Sequence, residues 1–365
     1  MHIPLIRTLD KTTGSLASLG LGLFPKRKPK KPKSILAIQL WGLGETVLTL
    51  PALRALQELY PKAKIDILCT DRNKDVYVQQ PYNVHPITLE PANILSFIRA
   101  HLQHYDLVVD FEEYLRSAAV IARLTGKYAI GFRTNVRGEA LDRSIAYVDG
   151  QHTAECFLDL IRALSAKIPR IKTLLPIKVS KDDEKGAAAF LKKYKVRSFI
   201  GIAPGAAETS KQRIWPLERF AQIADSWAKT TPVILFGGEG DRAVIDRVVK
   251  LMKRKAIVAS GELSLRESIA ALSKAKLVLA NDAGFMHVAA AQGVKTIGLF
   301  GPNLPIRWKP LNEKSIAVYE GYSCSPCINS HKGEFPACKF GKDNRCMKKI
   351  SVEEVFNVGK KMMER

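Results

Sequence analysis

The stretch "KLVLANDAGFMHVAAAQGVKTIGLFGP", Lys276 to Pro302, decides the fold class. An apolar run ending at Asp282 gives way to a helical pattern from Gly284 to Gln292, and a second apolar run, "TIGLFGP", follows directly. Strand, helix and strand at these lengths form a βαβ unit, and such units build parallel sheets covered by helices on both faces. Upstream the pattern repeats with "SFIGIAPG", a helix around Leu217 to Lys229, "PVILFGG", a helix near Asp241 to Met252, and "AIVAS".

A separate series occupies the amino-terminal half. "SILAIQL", "KIDILC" and "YDLVVDF" read as strands, while Thr46 to Tyr60 and Tyr114 to Thr125 read as helices. In the first of these helices Leu48, Ala52, Ala55, Leu56 and Leu59 share a face, and Pro51 must kink it or be absorbed by packing. Two consecutive βα series predict an α/β protein of two Rossmann-like domains, their parallel sheets facing an interdomain cleft. The boundary is expected near residues 170 to 195. The expected divisions are an apolar and polybasic extension over 1–33, domains over 34–180 and 181–322, and a Cys-rich segment with a C-terminal helix over 323–365.

The 365-residue chain carries 57 Lys plus Arg against 35 Asp plus Glu, a net charge of +22, which favours anionic partners. No nucleic-acid recognition motif or aromatic interleaving accompanies the basic run, so nucleic acid is not an expected partner. "PKRKPKKPK", Pro25 to Lys33, holds six basic residues and three prolines and reads as an extended linker. The apolar segment before it, Thr13 to Phe24, is too short and glycine-rich to span a bilayer. It has no evident signal-peptide cleavage site. Together these segments suit either an anionic membrane surface, each basic residue contributing about 1 kcal/mol, or a disordered basic tail.

Four cysteines crowd into "CSPCINSHKGEFPACKFGKDNRC": Cys324, Cys327, Cys338 and Cys346, spaced C-x2-C-x10-C-x7-C. Under reducing conditions four thiolates suit a structural zinc or an iron-sulfur cluster, whereas an oxidising compartment would favour two disulfides. Cys69 and Cys156 fall in a strand and a helical pattern and read as core thiols.

Ligands of open parallel sheets collect beyond the carboxyl ends of the strands. In the second series those positions hold Gly205 and a loop with Lys211 and Arg213, then Glu239, then Asp282, Ala283 and Gly284 ahead of a helix containing His287. Helix N-termini and cations bind diphosphates, while Glu239 and Asp282 suit sugar hydroxyls. Each also has a plain structural reading: a helix cap for Asp282, solvated charges for Lys211 and Glu239, a core position for His287.

These stretches resemble glycosyltransferase family 9, the lipopolysaccharide heptosyltransferase family. The likeness rests on "GLGETVLTLPALRAL", "YDLVVDFEEYLRSA", "HTAE" at His152 to Glu155, "RIWPLERFAQIA" and "NDAGFMHVAAAQGVKTIGLFGP", in order over about residues 34 to 320. The resemblance implies the GT-B fold and an inverting transfer of a sugar, typically heptose from ADP-heptose, onto a lipid-linked inner-core saccharide. It implies a peripheral enzyme on the cytoplasmic face of the inner membrane with no catalytic metal. The first domain would bind acceptor, through Gly44 and the cations Arg116, Arg133 and Arg143, and the second would bind donor.

Glu45 stands where the family's general base, usually an aspartate, is expected. Arg213 stands where lysine is common, and Ala283 and Phe285 replace a small hydroxyl residue and a proline. Two other readings remain open from the sequence, a nucleotide-sugar epimerase and a nucleotide-sugar-binding protein without turnover. The C-terminal helix, "SVEEVFNVGKKMMER", is expected to return across the first domain.

Overall fold

The computed structural model describes residues 3–27, 30–40, 42–80, 84–164, 167–341 and 343–364, with the side chains of 3–7 and 91 left aside. The chain forms two compact units, one running to Arg170 and including Asn329–Glu334, the other comprising Ile171–Ile328 and the residues from Phe335 onward.

The first unit contains strands β1 (Ser34–Ile38), β2 (Lys64–Cys69), β3 (Val84–Thr88), β4 (Leu107–Asp110), β5 (Ala129–Phe132) and β6 (Arg143–Ile145). They form one parallel sheet in the order β3-β2-β1-β4-β5-β6. Its helices are α1 (Ile3–Gly22), α2 (Leu43–Leu59), α3 (Lys74–Tyr77), α4 (Ile94–Ala100), α5 (Arg116–Thr125), α6 (Arg137–Ala140) and α7 (Thr153–Arg162). Pro86 lies in β3, an edge strand, where a missing N–H is tolerated. The helix α2 runs through Pro51 with Thr46 to Leu53 all buried, so packing absorbs the lost hydrogen bond.

The second unit repeats the plan. Strands β7 (Ile200–Ala203), β8 (Val233–Leu235), β9 (Ile257–Val258), β10 (Leu277–Asn281), β11 (Thr296–Phe300) and β12 (Ile316–Tyr319) pair in the order β12-β11-β10-β7-β8-β9, again all parallel. The helices are α8 (Lys181–Lys193), α9 (Leu217–Trp227), α10 (Arg242–Leu251), α11 (Leu265–Leu272), α12 (Gly284–Ala291), α13 (Pro305–Trp308), α14 (Arg345–Lys349) and α15 (Val352–Glu364). Counted within each unit, both sheets have the doubly wound order 3-2-1-4-5-6. Each therefore reverses direction between its first and fourth strands, the place where such sheets bind ligands.

Two segments differ from the sequence reading. The apolar stretch before the polybasic run supplies the second half of a 20-residue helix, α1, that docks on α5 and α6. Its propensity is poor because it carries three glycines, Gly14, Gly20 and Gly22, and tertiary contacts supply what propensity lacks. Asp10 accepts hydrogen bonds from the backbone N–H groups of Arg116 (3.2 Å) and Ser117 (2.8 Å) and from the Ser117 hydroxyl (2.7 Å). A carboxylate from α1 thus caps α5, whose own N-cap residue Leu115 makes no side-chain cap. Gly14 and Gly22 allow the approach, since an added Cβ would lie 2.9 Å from Arg116 Cβ and 3.0 Å from Glu139 Cβ. Residues Pro25 to Lys33 are not helical where described, as expected; Lys28 and Pro29 lie outside the described residues.

The C-terminal helix α15 packs within the second unit, not on the first. Val355 and Met362 join the core formed around Trp215, Phe220 and Trp227, and Lys295 donates to Met362 O (2.7 Å). Gly359 faces the Trp227 ring, and an added Cβ would stand 2.8 Å from it. The indole needs a bare backbone opposite it, which fixes this helix where it lies.

Candidate active site

In the first unit the turn between β1 and α2 is built on Gly42, at φ 76°, a conformation that strains any side chain with a Cβ. Glu45 lies in the first turn of α2, and its carboxylate folds back over Gly42 so closely that a Cβ there would stand 1.9 Å from Oε2. Gly42 is therefore required twice, for its dihedral and for the space Glu45 occupies. Gly44 is buried in the same turn.

Neighbouring loops hold this turn. Asn73 donates to Gln39 O (2.9 Å) and to Thr46 Oγ1 (2.9 Å). From the end of β4, Glu112 Oε1 accepts from Leu40 N (2.5 Å) and Gln39 Nε2 (3.2 Å). Asp110 Oδ1 accepts from Glu112 N (3.0 Å), while its Oδ2 pairs with the fully buried Arg137. Arg137 also donates to Leu115 O (3.0 Å) and Phe132 O (2.8 Å). Burial pushes the Asp110 carboxyl up to about 6 against the pull of Arg137.

Glu113, beside these residues, was not singled out from sequence. Burial pushes its carboxyl well above the usual range, the nearby Glu45 charge pushes it further, and a Tyr147 hydrogen bond pulls the other way. Its Oε1 has no hydrogen-bond partner among the described residues. Tyr147, just beyond β6, also bonds Thr153 Oγ1 (3.0 Å) and stacks on His331 at 4.7 Å. The available signal was an acid immediately after a strand.

Of the three expected acceptor cations, Arg133 is exposed at the carboxyl end of β5 and has no ion-pair partner among the described residues. Arg116 lies 3.6 Å from the Asp10 carboxylate and serves the docking of α1. Arg143 opens β6, at the amino ends of the strands, whereas Glu45 follows the carboxyl end of β1; Arg143 donates to Ala163 O. The structure does not bring the three together.

In the second unit Asn281, at the end of β10, donates to Pro204 O (2.8 Å) and Gly205 O (3.2 Å) and accepts from Trp215 N (3.0 Å). One amide thereby joins the β7 and β10 loops to the segment carrying Arg213. Arg213 Nη1 donates to Asp282 O (3.2 Å) and lies 3.6 Å from Asp282 Oδ2. Asp282 is buried and also accepts from Asn303 Nδ2 (3.0 Å); burial raises its carboxyl against Arg213 and Asn303. The Arg213 Nε is buried with no acceptor among the described residues. Ala283 takes the N-cap position of α12 without a side-chain cap; in the first turn the Met286 N–H donates to Ala283 O (3.1 Å).

Gly205 packs on Asp241, a residue not singled out from sequence: an added Cβ would lie 2.0 Å from its Oδ1. Asp241 also accepts from Gly238 N (3.0 Å). Glu239 is exposed beyond β8. Lys211 is exposed and pairs with Glu208 at 3.4 Å. His287 is buried, its ring 6.1 Å from that of Trp308. The structure thus brings Gly205, Arg213, Asp282, Ala283 and Gly284 to the carboxyl ends of β7 and β10, with Lys211 exposed on the same loop as Arg213 and His287 buried one turn into α12.

Cys324, Cys327, Cys338 and Cys346 line a single pocket with Pro302, Phe340 and Arg345. All six cysteines are free thiols. Burial raises Cys327, and Cys346 to about 11, with the other thiols of the cluster adding to both. Among the described residues no group of three or more His, Cys, Asp or Glu is drawn together at metal-ligating positions. Cys69 and Cys156 are buried, and burial takes each to about 12.

Two doubly wound parallel sheets give the chain the GT-B fold. The chain belongs to glycosyltransferase family 9 (heptosyltransferase), whose profile matches residues 94–336. Over 348 residues it is 23% identical to the lipopolysaccharide core heptosyltransferase OpsX of Haemophilus influenzae, covering 91% of this chain and 97% of that one. The structure of E. coli ADP-heptose LPS heptosyltransferase II aligns with a TM-score of 0.72 at 20% identity, covering 91% of this chain and 98% of that one. The iron-containing dodecameric glycosyltransferase TibC of enterotoxigenic E. coli aligns at 0.56 and 14% identity, covering 92% and 77%.

Two measurements test this geometry. Gly42→Ala would have to adopt φ 76° and push the Glu45 carboxylate aside, and is expected to cost about 1–2 kcal/mol or more of stability, read by urea unfolding. Glu113 is raised when folded, so its contribution is fully favourable below the unfolded carboxyl pKa of about 4.3 and is lost as pH rises toward the folded value. Urea unfolding is therefore expected to show wild type losing stability relative to Glu113→Gln as pH increases, the two converging in acid. Parallel profiles would exclude Glu113.

Proposed function

We propose that this glycosyltransferase moves heptose from ADP-heptose to a lipid-linked saccharide of the lipopolysaccharide-core type, with inversion. The observation that carries the reading is the Arg213–Asp282 pair beside the uncapped start of α12, at the switch point of the second sheet. OpsX and E. coli heptosyltransferase II, named for core heptose transfer and for ADP-heptose, support the choice of acceptor class and donor.

In this mechanism the acceptor hydroxyl oxygen attacks the anomeric carbon and its proton passes to Glu45. The bond from that carbon to the diphosphate oxygen breaks, and its electron pair leaves with the nucleoside diphosphate. Arg213 and the N–H groups opening α12 stabilise the charge that develops there. Asp282 holds Arg213 in place, and Glu239 accepts from donor sugar hydroxyls. Arg133 is the cation best placed for a phosphorylated acceptor, because neither an ion pair nor a place at the amino end of a strand withdraws it.

Four thiols lining one pocket supply the soft donor set that a thiophilic metal takes. Cys324, Cys327, Cys338 and Cys346 would hold a metal that ties the surrounding loop, with no step of the transfer passing through it. TibC is named as iron-containing.

Purified protein screened against ADP- and UDP-linked sugars, with lipid-linked and truncated acceptors, is expected to transfer heptose from ADP-heptose. Glu45→Gln is expected to abolish that transfer while donor affinity persists. Donor conversion without acceptor would replace the reading with an epimerase, and binding without transfer would replace it with a non-catalytic binder. Elemental analysis of fresh protein is expected to find about one metal site per chain, lost in Cys324→Ala/Cys327→Ala. Its thermal midpoint should then fall by roughly 2–4 °C for each kcal/mol the site contributes; metal-free wild type would remove the site.

A further inference from the structure

The helix α1 is turned in an unusual sense. Its inner face is small and polar: Asp10, Gly14 and Ser18 are buried against the first unit, with Leu21 packed at the edge of the core. Its outer side carries Leu9, Leu16 and Leu19, and Leu23 and Phe24 follow just past its end, all 44 to 88% exposed. Leu9 and Leu16 lie seven residues apart on one stripe of the helix, with Leu19 beside it and Leu23 and Phe24 continuing the apolar surface.

This ridge is held rigidly. Asp10 caps α5 near the middle of the helix. Beyond its end, Lys26 donates to Leu141 O (2.8 Å), and Arg27 is fixed by Asp142 (2.6 Å), Gly126 O (2.6 Å) and Gln103 (2.7 Å). Lys30, Lys31 and Lys33 follow, all exposed.

We infer that α1 is a pre-docked lipid-binding ridge, whose leucines and Phe24 enter the interface of an anionic bilayer while the adjoining lysines engage its headgroups. Charge complementarity selects this occupant. A second copy would bring another basic segment of a +22 chain against this one, whereas anionic lipid offers apolar depth and negative charge together. Among the described residues no helix is long and apolar enough to cross a membrane, so α1 lies on the surface. The inference deepens the proposed function, since it rests on a lipid-linked acceptor and would hold the acceptor-binding unit at the bilayer carrying it.

Co-sedimentation with vesicles of phosphatidylglycerol and phosphatidylethanolamine, against phosphatidylcholine alone, tests it on the full chain. Wild type should partition to the anionic vesicles, less so at high salt. Leu16→Ser/Leu23→Ser/Phe24→Ser should lower partitioning at least about 10-fold, and Lys30→Gln/Lys31→Gln about 5-fold per residue. Both variants should retain wild-type circular dichroism and wild-type turnover on a water-soluble truncated acceptor. Unchanged partitioning of the variants, or an equal loss of turnover on the soluble acceptor, overturns the ridge. If the first variant misfolds, the lysine variant and the salt dependence decide. Ridge-dependent vesicle binding without transfer to any acceptor would instead defeat the proposed function and leave the ridge standing.

Discussion

The buried pair between Asp110 and Arg137 is the constraint on which the geometry of the first unit depends. Parallel strands end in carbonyls and loops that have no neighbour to bond, and here a single guanidinium collects two such carbonyls and one carboxylate. From Asp110 the connection passes to Glu112 N, and from the Glu112 carboxylate to Leu40 N at the entry to the Gly42 turn. Three loops from different strands are thus fixed by one chain of charge-assisted bonds. Losing either member of such a pair leaves an uncompensated buried charge, a cost of about 3–5 kcal/mol, and it would free the turn that carries Glu45.

The second unit meets the same need with a neutral group. Asn281 occupies the corresponding switch point and joins three segments through one amide, with no net charge added. Charge is reserved for Arg213 and Asp282 in front of it. A guanidinium held by a buried carboxylate and by the Asp282 carbonyl has little rotamer entropy left to lose when an anion arrives. The acid is accordingly the partner that fixes where the cation lies at the end of β10.

What the sequence made legible was periodic or punctuated. Apolar runs, glycine turns and the residues just after strands located both sheets, Glu45, Arg213 and Asp282, because the carboxyl edge of a parallel sheet follows from chain direction alone. What it hid depends on contacts between distant residues. The helix α1 has poor propensity and exists through Asp10, which sits more than a hundred residues from the N–H groups it caps. The same contact occupies Arg116, and no local pattern separates it from the open Arg133. Arg143 falls at the amino end of β6 because the strand begins at it, and a strand three residues long leaves little period for the sequence to show where it starts. The path of α15 turned on Gly359 meeting Trp227, again a pairing that only tertiary structure reveals.

The longer acid at position 45 is accommodated by the same glycine that makes the turn. A glutamate projecting straight from α2 would carry its carboxylate one methylene beyond the reach of an aspartate. Folded back over Gly42, it instead lies along the first turn of the helix, near the positive end of the helix dipole. Glu113 opposes the Glu45 charge if ionised, but burial works to keep Glu113 protonated. The two neighbouring acids are thereby set apart by placement alone: Glu113 is buried, its Oε1 open among the described residues, while Glu45 lies at the helix terminus in the space that Gly42 leaves.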